Sequence, residues 1–184
     1  TSRGLRDVYK RQEEDIPKFE KLGVKKIISE PVFNSDLRKL LSDKKNKARL
    51  KKDKNIFKGR KILIVEDNEI NIDIISDYLD DVEIKYDSVR NGLDAYNRIK
   101  QNHSYDCVLM DIKMPVMDGY EATRKIRALD DEYVRKLPII AMTANAFAED
   151  VQKSKEAGMN DHITKPVNLE LFYSVIKKHM IGEE

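Results

Sequence analysis

The stretch "YDCVLMD", residues 105–111, decides how the chain is read. Four apolar side chains, Cys107 to Met110, follow one another without alternation and end on a single carboxylate, Asp111. So short an apolar run suits a strand covered on both faces, as in a parallel sheet. "KILIVED" (61–67) and "LPIIAMTA" (137–144) repeat the pattern, and "DHITKP" (161–166) supplies a further strand. "EIKYDSV" (83–89) is more mixed, as an edge strand would be. Between these runs lie amphipathic stretches that predict helices over 69–81, 92–101, 118–129, 147–157 and 169–180. In the last of them Leu169, Phe172, Val175, Ile176 and Met180 recur at three- and four-residue steps. Asn68 and Asn168 are placed to cap their helices, and Gly158 to stop the one before it. Alternating β and α units of this kind mean a parallel sheet with helices on both faces.

In such a sheet the functional groups gather at the carboxyl ends of the strands. Strand one ends in Glu66 and Asp67, strand three in Asp111, strand four in Thr143, and strand five in Lys165 and Pro166. Three carboxylates at one edge repel one another and raise each other's pKa unless a cation joins them. Magnesium suits such a site, because it accepts one or two carboxylates and a carbonyl and keeps its remaining positions for water or phosphate. The backbone carbonyl of Lys113, just past strand three, is the candidate carbonyl. Asp111 is the candidate nucleophile, since a carboxylate can form an aspartyl phosphate. Thr143 would donate to one phosphoryl oxygen and Lys165 would pair with another as a mobile point charge.

The rest of the composition narrows the class. With 184 residues there is room for one full domain and a fragment. No run of 18 apolar residues occurs and no signal peptide is recognisable at the start. The single cysteine, Cys107, allows no internal disulfide, so a soluble cytoplasmic domain is expected. The formal net charge of +2 hides an asymmetry: residues 42–61 carry +8, whereas residues 62–184 carry −9. Without interleaved aromatic residues or a groove-reading motif, that basic run reads as a solvated linker rather than a nucleic-acid contact. His103 and His179, in polar surroundings, read as surface residues.

"ILIVEDNEIN", "VLMDIKMPVMDG", "AMTANA" and "NDHITKP" together resemble the signature segments of two-component receiver domains, found in response regulators and hybrid sensor kinases. The resemblance runs from residue 61 to residue 181 with the motifs in order. It implies a flavodoxin-like (βα)5 fold with strand order 2-1-3-4-5. It also implies Mg²⁺ ligation by Glu66, Asp67, Asp111 and the Lys113 carbonyl, phosphorylation of Asp111, a switch hydroxyl at Thr143 and a phosphate-pairing ammonium at Lys165. Two positions depart from the common pattern. Glu66 stands where many members carry Asp and is longer by one methylene. His162 stands where a Tyr or Phe usually swings with the switch hydroxyl. Lys113 and Asn145, near the site entrance, are placed to set the phosphoryl lifetime.

One ending occurs twice. "KLGVKKIISEPVFNSDLRKLL" (21–41) lies without gaps over "EAGMNDHITKPVNLELFYSVI" (156–176), with Gly23 over Gly158 and Pro31 over Pro166. Residues 13–42 therefore read as the helix–strand–helix remnant of an earlier, degenerate receiver, in which Glu30 replaces the lysine and would repel a phosphoryl group. The expected organisation is a non-native or disordered leader (1–12), this remnant (13–42), a basic linker (43–60) and the receiver (61–184).

Two receivers in tandem, with "IGEE" after the last helix and no DNA-binding domain following, point to the C-terminal part of a hybrid sensor histidine kinase. The expected partners are the histidine kinase domain of the same parent chain, a histidine phosphotransfer protein, or both. Any membrane tether would belong to the missing upstream part. A non-phosphorylated interaction module would need a lost site residue, and residues 62–184 lack none. An Asp-nucleophile phosphatase of the haloacid dehalogenase type wants a second Asp two residues after the nucleophile, where Lys113 stands. A dinucleotide enzyme wants a glycine-rich turn after strand one, which is missing.

Overall fold

The structure, a computed structural model, describes residues 55–144 and 147–182. The elements are β1 (Lys61–Val65), α1 (Glu69–Asp81), β2 (Lys85–Val89), α2 (Gly92–Gln101), β3 (Cys107–Asp111) and α3 (Gly119–Arg127). They continue with α4 (Glu132–Lys136), β4 (Ile139–Thr143), α5 (Ala148–Ala157), β5 (Asp161–Thr164) and α6 (Leu169–Ile181). All strand pairs are parallel, in the order β2-β1-β3-β4-β5. This is the expected doubly wound arrangement. The chain winds outward from β1 in both directions, so strand order reverses between β1 and β3.

Side-chain alternation divides the core into two layers. Ile62, Ile64, Cys107, Leu109, Ile140 and Met142 face α1 and α6. Leu63, Val65, Val108, Met110, Ile139 and Ala141 face the opposite way, onto α2, α3 and α4. Both β3 and β4 are buried along their whole length. β2, at one edge, keeps only Val89 buried, in line with its mixed sequence.

Helix ends are set by local chemistry. The Asn68 and Asn168 side chains accept from the N–H groups of Ile70 and of Glu170 and Leu171, as expected of N-caps. Gly158 ends α5 at φ 93, a left-handed conformation that disfavours any residue with a Cβ. Asp118 turns out to be the N-cap of α3 rather than its first residue, and α3 stops at Arg127.

The structure adds four details. A five-residue helix, α4, lies where the sequence pattern predicts none; Asp131 caps it by accepting from Tyr133 and Val134, and only Val134 is buried. Phe57, in the stretch expected to be linker, is fully buried in the core layer of α1 and α6, so the folded unit takes in at least this residue. His179 is not a free surface residue, because its Nε2 lies 2.8 Å from Asp161 Oδ2, across from the start of β5. His103 is exposed as expected, stacked on Tyr133 at 4.6 Å. The leader, the degenerate remnant, most of the basic linker, and Asn145 lie outside the described residues.

Candidate functional site

The parallel ladder carries the strand ends to one rim. Val65 pairs with both Val89 and Met110, and Asp111 stands opposite Met142 on β4. Thr143 stands opposite Thr164, which puts Lys165 one residue past the rim on the edge strand. Lys165 N–H donates to the Thr143 carbonyl at 2.7 Å, extending that ladder into the site, and the Lys165–Pro166 peptide is cis.

Glu66, Asp67 and Asp111 come together as expected. Each offers a carboxylate oxygen, and these oxygens lie within 4.8 Å of one another. Glu66 and Asp111 are buried, whereas Asp67 is exposed, so the cluster opens to solvent on the Asp67 side. A cleft of about 530 Å³ begins there, bordered by Asp67, Lys113, Met114, Pro115 and Tyr120. Three oxygen donors within this span fit a hard divalent cation such as Mg²⁺.

Lys165 reaches into the same cluster. Its Nζ donates to Glu66 Oε2 at 2.6 Å and lies 2.9 Å from Asp111 Oδ2. Burial pushes the Lys165 ammonium toward deprotonation, but its bonds to Glu66 and Asp111 outweigh that and raise its pKa above the usual lysine value. Burial also pushes the Asp111 carboxyl up, and repulsion from Glu66 adds to it. The Lys165 ammonium and the Lys113 N–H, 3.3 Å from Asp111 Oδ1, counter this only in part. One ammonium, that of Lys165, is thus the main group favouring the ionised form of Asp111. Without it, burial would favour the neutral acid.

Thr143 is buried at the end of β4, as expected for a hydroxyl at the rim. Lys113 contributes its backbone N–H to Asp111 and lines the cleft. His162 lies on β5 opposite Ala141, with about a third of its side chain exposed (35%) and its Nδ1 3.9 Å from Asp161 Oδ1. It is not among the groups gathered around Asp111.

Two residues join the site that sequence reasoning passed over. Asn71 Nδ2 donates to Glu66 Oε1 at 2.9 Å from the first turn of α1. Arg90, after β2, donates to the Asp67 carbonyl at 3.3 Å and bonds to Glu69. The signal for Asn71 was its place near the start of the helix that follows Glu66, since the first turn of a helix after a strand folds back over the strand end. Arg90 carried no such signal.

The fold and the acid–ammonium cluster at its rim define a doubly wound α/β protein with three carboxylates and one ammonium gathered at the carboxyl ends of its strands. Residues 62–177 match the family model described as response regulator receiver domain, and the chain belongs to that family. Hybrid signal transduction histidine kinase L of Dictyostelium discoideum is 44% identical over 122 residues, 65% of this chain and 7% of that protein. The peroxide stress-activated histidine kinase mak1 of Schizosaccharomyces pombe is 40% identical over 117 residues, 61% of this chain. The chain thus spans only a small part, 7%, of the length of either relative. Among solved structures, the receiver domain of a sensor histidine kinase from Pseudomonas aeruginosa PAO1, with a magnesium ion coordinated in its active-site cleft, matches with a TM-score of 0.61. It is 39% identical, and the match covers 68% of this chain and 99% of that one. The receiver domain of Ssk1 from Saccharomyces cerevisiae, solved together with the histidine phosphotransfer protein Ypd1, matches with a TM-score of 0.61 at 32% identity. That match covers 68% of this chain and 91% of that one.

Proposed function

We propose that this receiver domain accepts a phosphoryl group on Asp111 from a phosphohistidine and later releases it to water. The observation that carries the reading is the meeting of Asp111 with Glu66, Asp67 and the Lys165 ammonium at one rim. An Asp111 carboxylate oxygen attacks phosphorus and forms the new O–P bond as the P–N bond breaks. The bond pair stays on the leaving nitrogen, and an imidazole protonated on its other nitrogen departs neutral. In dephosphorylation, water attacks phosphorus and Asp111 leaves as the carboxylate.

The chain's own residues supply most of the charge management. Lys165, already 2.9 Å from Asp111, keeps the nucleophile ionised and pairs with a phosphoryl oxygen after transfer. The Thr143 hydroxyl donates to a second oxygen, and its inward shift re-packs the region around His162 as a two-state switch. Glu66, Asp67, Asp111 and the Lys113 backbone carbonyl would hold Mg²⁺, whose positive charge would offset that of the transferring group.

We assign the domain to a hybrid histidine kinase, with a receiver that begins no later than Phe57 and residues 13–42 as the remnant of a degenerate one. The donor is the kinase domain of the same parent chain or a histidine phosphotransfer protein. The reading is supported by the two histidine-kinase relatives and by the receiver solved together with Ypd1. Among the described residues no helix is long and apolar enough to cross a membrane. The test is intact-mass measurement after incubation with acetyl phosphate and Mg²⁺. One added phosphoryl is expected on the native chain and none on Asp111→Asn. No addition, or addition that survives Asp111→Asn, would overturn it.

A further inference from the structure

Glu66 is 1% exposed, and its carboxyl group lies beside a second buried acid, Asp111. Such a group keeps its orientation only if both oxygens are held. Oε2 is held by Lys165 at 2.6 Å. Oε1 is held by the Asn71 side-chain amide at 2.9 Å, with the Asn68 N–H a longer 3.4 Å away. The two anchors differ in kind. Lys165 also contacts Asp111, and in the reading above it turns to a phosphoryl group, so its grip on Glu66 is shared. Asn71 has no such second duty among its described contacts, and it stands on the first turn of α1, whose N-cap bond from Ile70 to Asn68 fixes that turn.

We infer that Asn71 is a positioning residue that acts through Glu66: its amide holds the buried carboxylate in the orientation that lets Glu66 help bind Mg²⁺ beside Asp67 and Asp111. An amide suits the task because it donates a directional bond without adding charge. A lysine at this place would compete with the cation, and an acid would repel Glu66. The glutamate's extra methylene makes the anchor necessary. One more rotatable bond than aspartate gives the carboxylate more ways to swing off target, and the Asn71 bond removes that freedom. This inference rests on the Mg²⁺ reading of the site.

The experiment is a magnesium titration followed by calorimetry and by amide NMR shifts, on the whole chain, in a double-mutant cycle with Glu66. Asn71→Ala replaces a half-buried side chain in a helix by the strongest helix former, so the fold is kept. Asn71→Leu fills a similar space without the donor and serves as the second variant. Both should weaken Mg²⁺ binding roughly 10-fold or more, as loss of a ligand's hydrogen-bond partner does. In a Glu66→Gln background the same replacement should have no effect, because the carboxylate it orients is gone. An equal loss in both backgrounds, or unchanged affinity in Asn71→Ala and Asn71→Leu, would overturn the inference while leaving the Mg²⁺ reading intact. Absence of Mg²⁺ binding by the native chain would overturn both.

Discussion

Glu66 and Lys165, ninety-nine positions apart in the chain, meet as an ion pair at 2.6 Å with the glutamate almost wholly buried. The pair joins an interior strand of the sheet to its far edge, because Glu66 follows β1 and Lys165 follows β5. Its cost and its use are both electrostatic, and the first two predictions follow from it.

Lys165→Met leaves Glu66 and Asp111 buried together without their shared cation. Removing one partner of a buried pair is strongly destabilising. We expect a loss of roughly 2–4 kcal/mol in the absence of divalent ions. Added Mg²⁺ should recover part of it, so the rise in melting temperature on adding Mg²⁺ should be larger in the variant than in the native chain. Paired thermal melts with and without Mg²⁺ check this, and an equal rise in both proteins would contradict it.

Asp111→Asn should raise the stability of the metal-free domain at neutral pH. Burial and the Glu66 charge hold the Asp111 carboxyl above the ordinary carboxylate range, so its ionised form is disfavoured in the fold. A folded pKa above the unfolded value means the native acid gains stability as pH falls and the group protonates. The advantage of the neutral amide should therefore be about 1 kcal/mol at pH 7, after allowance for solvent screening, and should shrink as the pH is lowered toward 4. Urea unfolding across that range measures it.

Asp161 gives the opposite sign. Burial pushes its carboxyl up, but bonds from His179, the His162 N–H and Lys178 outweigh that and hold it below 3.8. A depressed pKa means a contribution that is complete above 3.8 and disappears as pH falls through the folded value. Asp161→Asn should cost no more than about 1 kcal/mol near neutrality, since the Lys178 side of the cluster is exposed. The difference from the native chain should close only below pH 4. Urea unfolding midpoints at successive pH values check it, and a gap that closes between pH 7 and 5 would refute the assignment.

Gly119→Ala should damage the site from behind. A Cβ on Gly119 would fall 2.2 Å from the Asp111 carbonyl oxygen and 3.1 Å from its carbon, so backbone must move. The variant should lose roughly 2–4 kcal/mol and accept phosphoryl from acetyl phosphate far more slowly than the native chain. Denaturation and intact-mass time courses measure the two losses, and phosphorylation at the native rate would contradict the second.

Phe57→Ala tests where the domain begins. The ring is fully buried against the layer of α1 and α6, and Arg60 N–H donates to its carbonyl at 3.0 Å. Truncating such a side chain should cost about 3–5 kcal/mol. A variant as stable as the native chain would return Phe57 to the linker.

Most of this arrangement was legible in the residues. β1, β3 and β4 carry unbroken apolar runs because both faces are covered, and each run leads into the polar group that marks the rim: Glu66, Asp111 and Thr143. The caps Asn68 and Asn168 were readable because the side chain that signals the start also makes the bond. α4 was not, since five residues with a single buried one leave no periodicity to detect. Phe57 was hidden by charge: Ile56 and Phe57, two apolar side chains amid lysines, read as part of a solvated run until the core that Phe57 enters is seen. His179 was misjudged because its partner, Asp161, is eighteen positions away in sequence and meets it only once α6 packs beside β5. For the same reason Lys165 could be placed at the rim but not paired with Glu66.

The strand order leaves the two charged partners with unequal mechanical footing. Asp111 ends a strand laddered to β1 through Met110 and to β4 through Asp111 itself, so its backbone is braced from both sides. Lys165 hangs from β5, which is laddered on one side only. An anion drawn to the cluster would meet a braced aspartate on one side and, on the other, a lysine whose strand has a free edge.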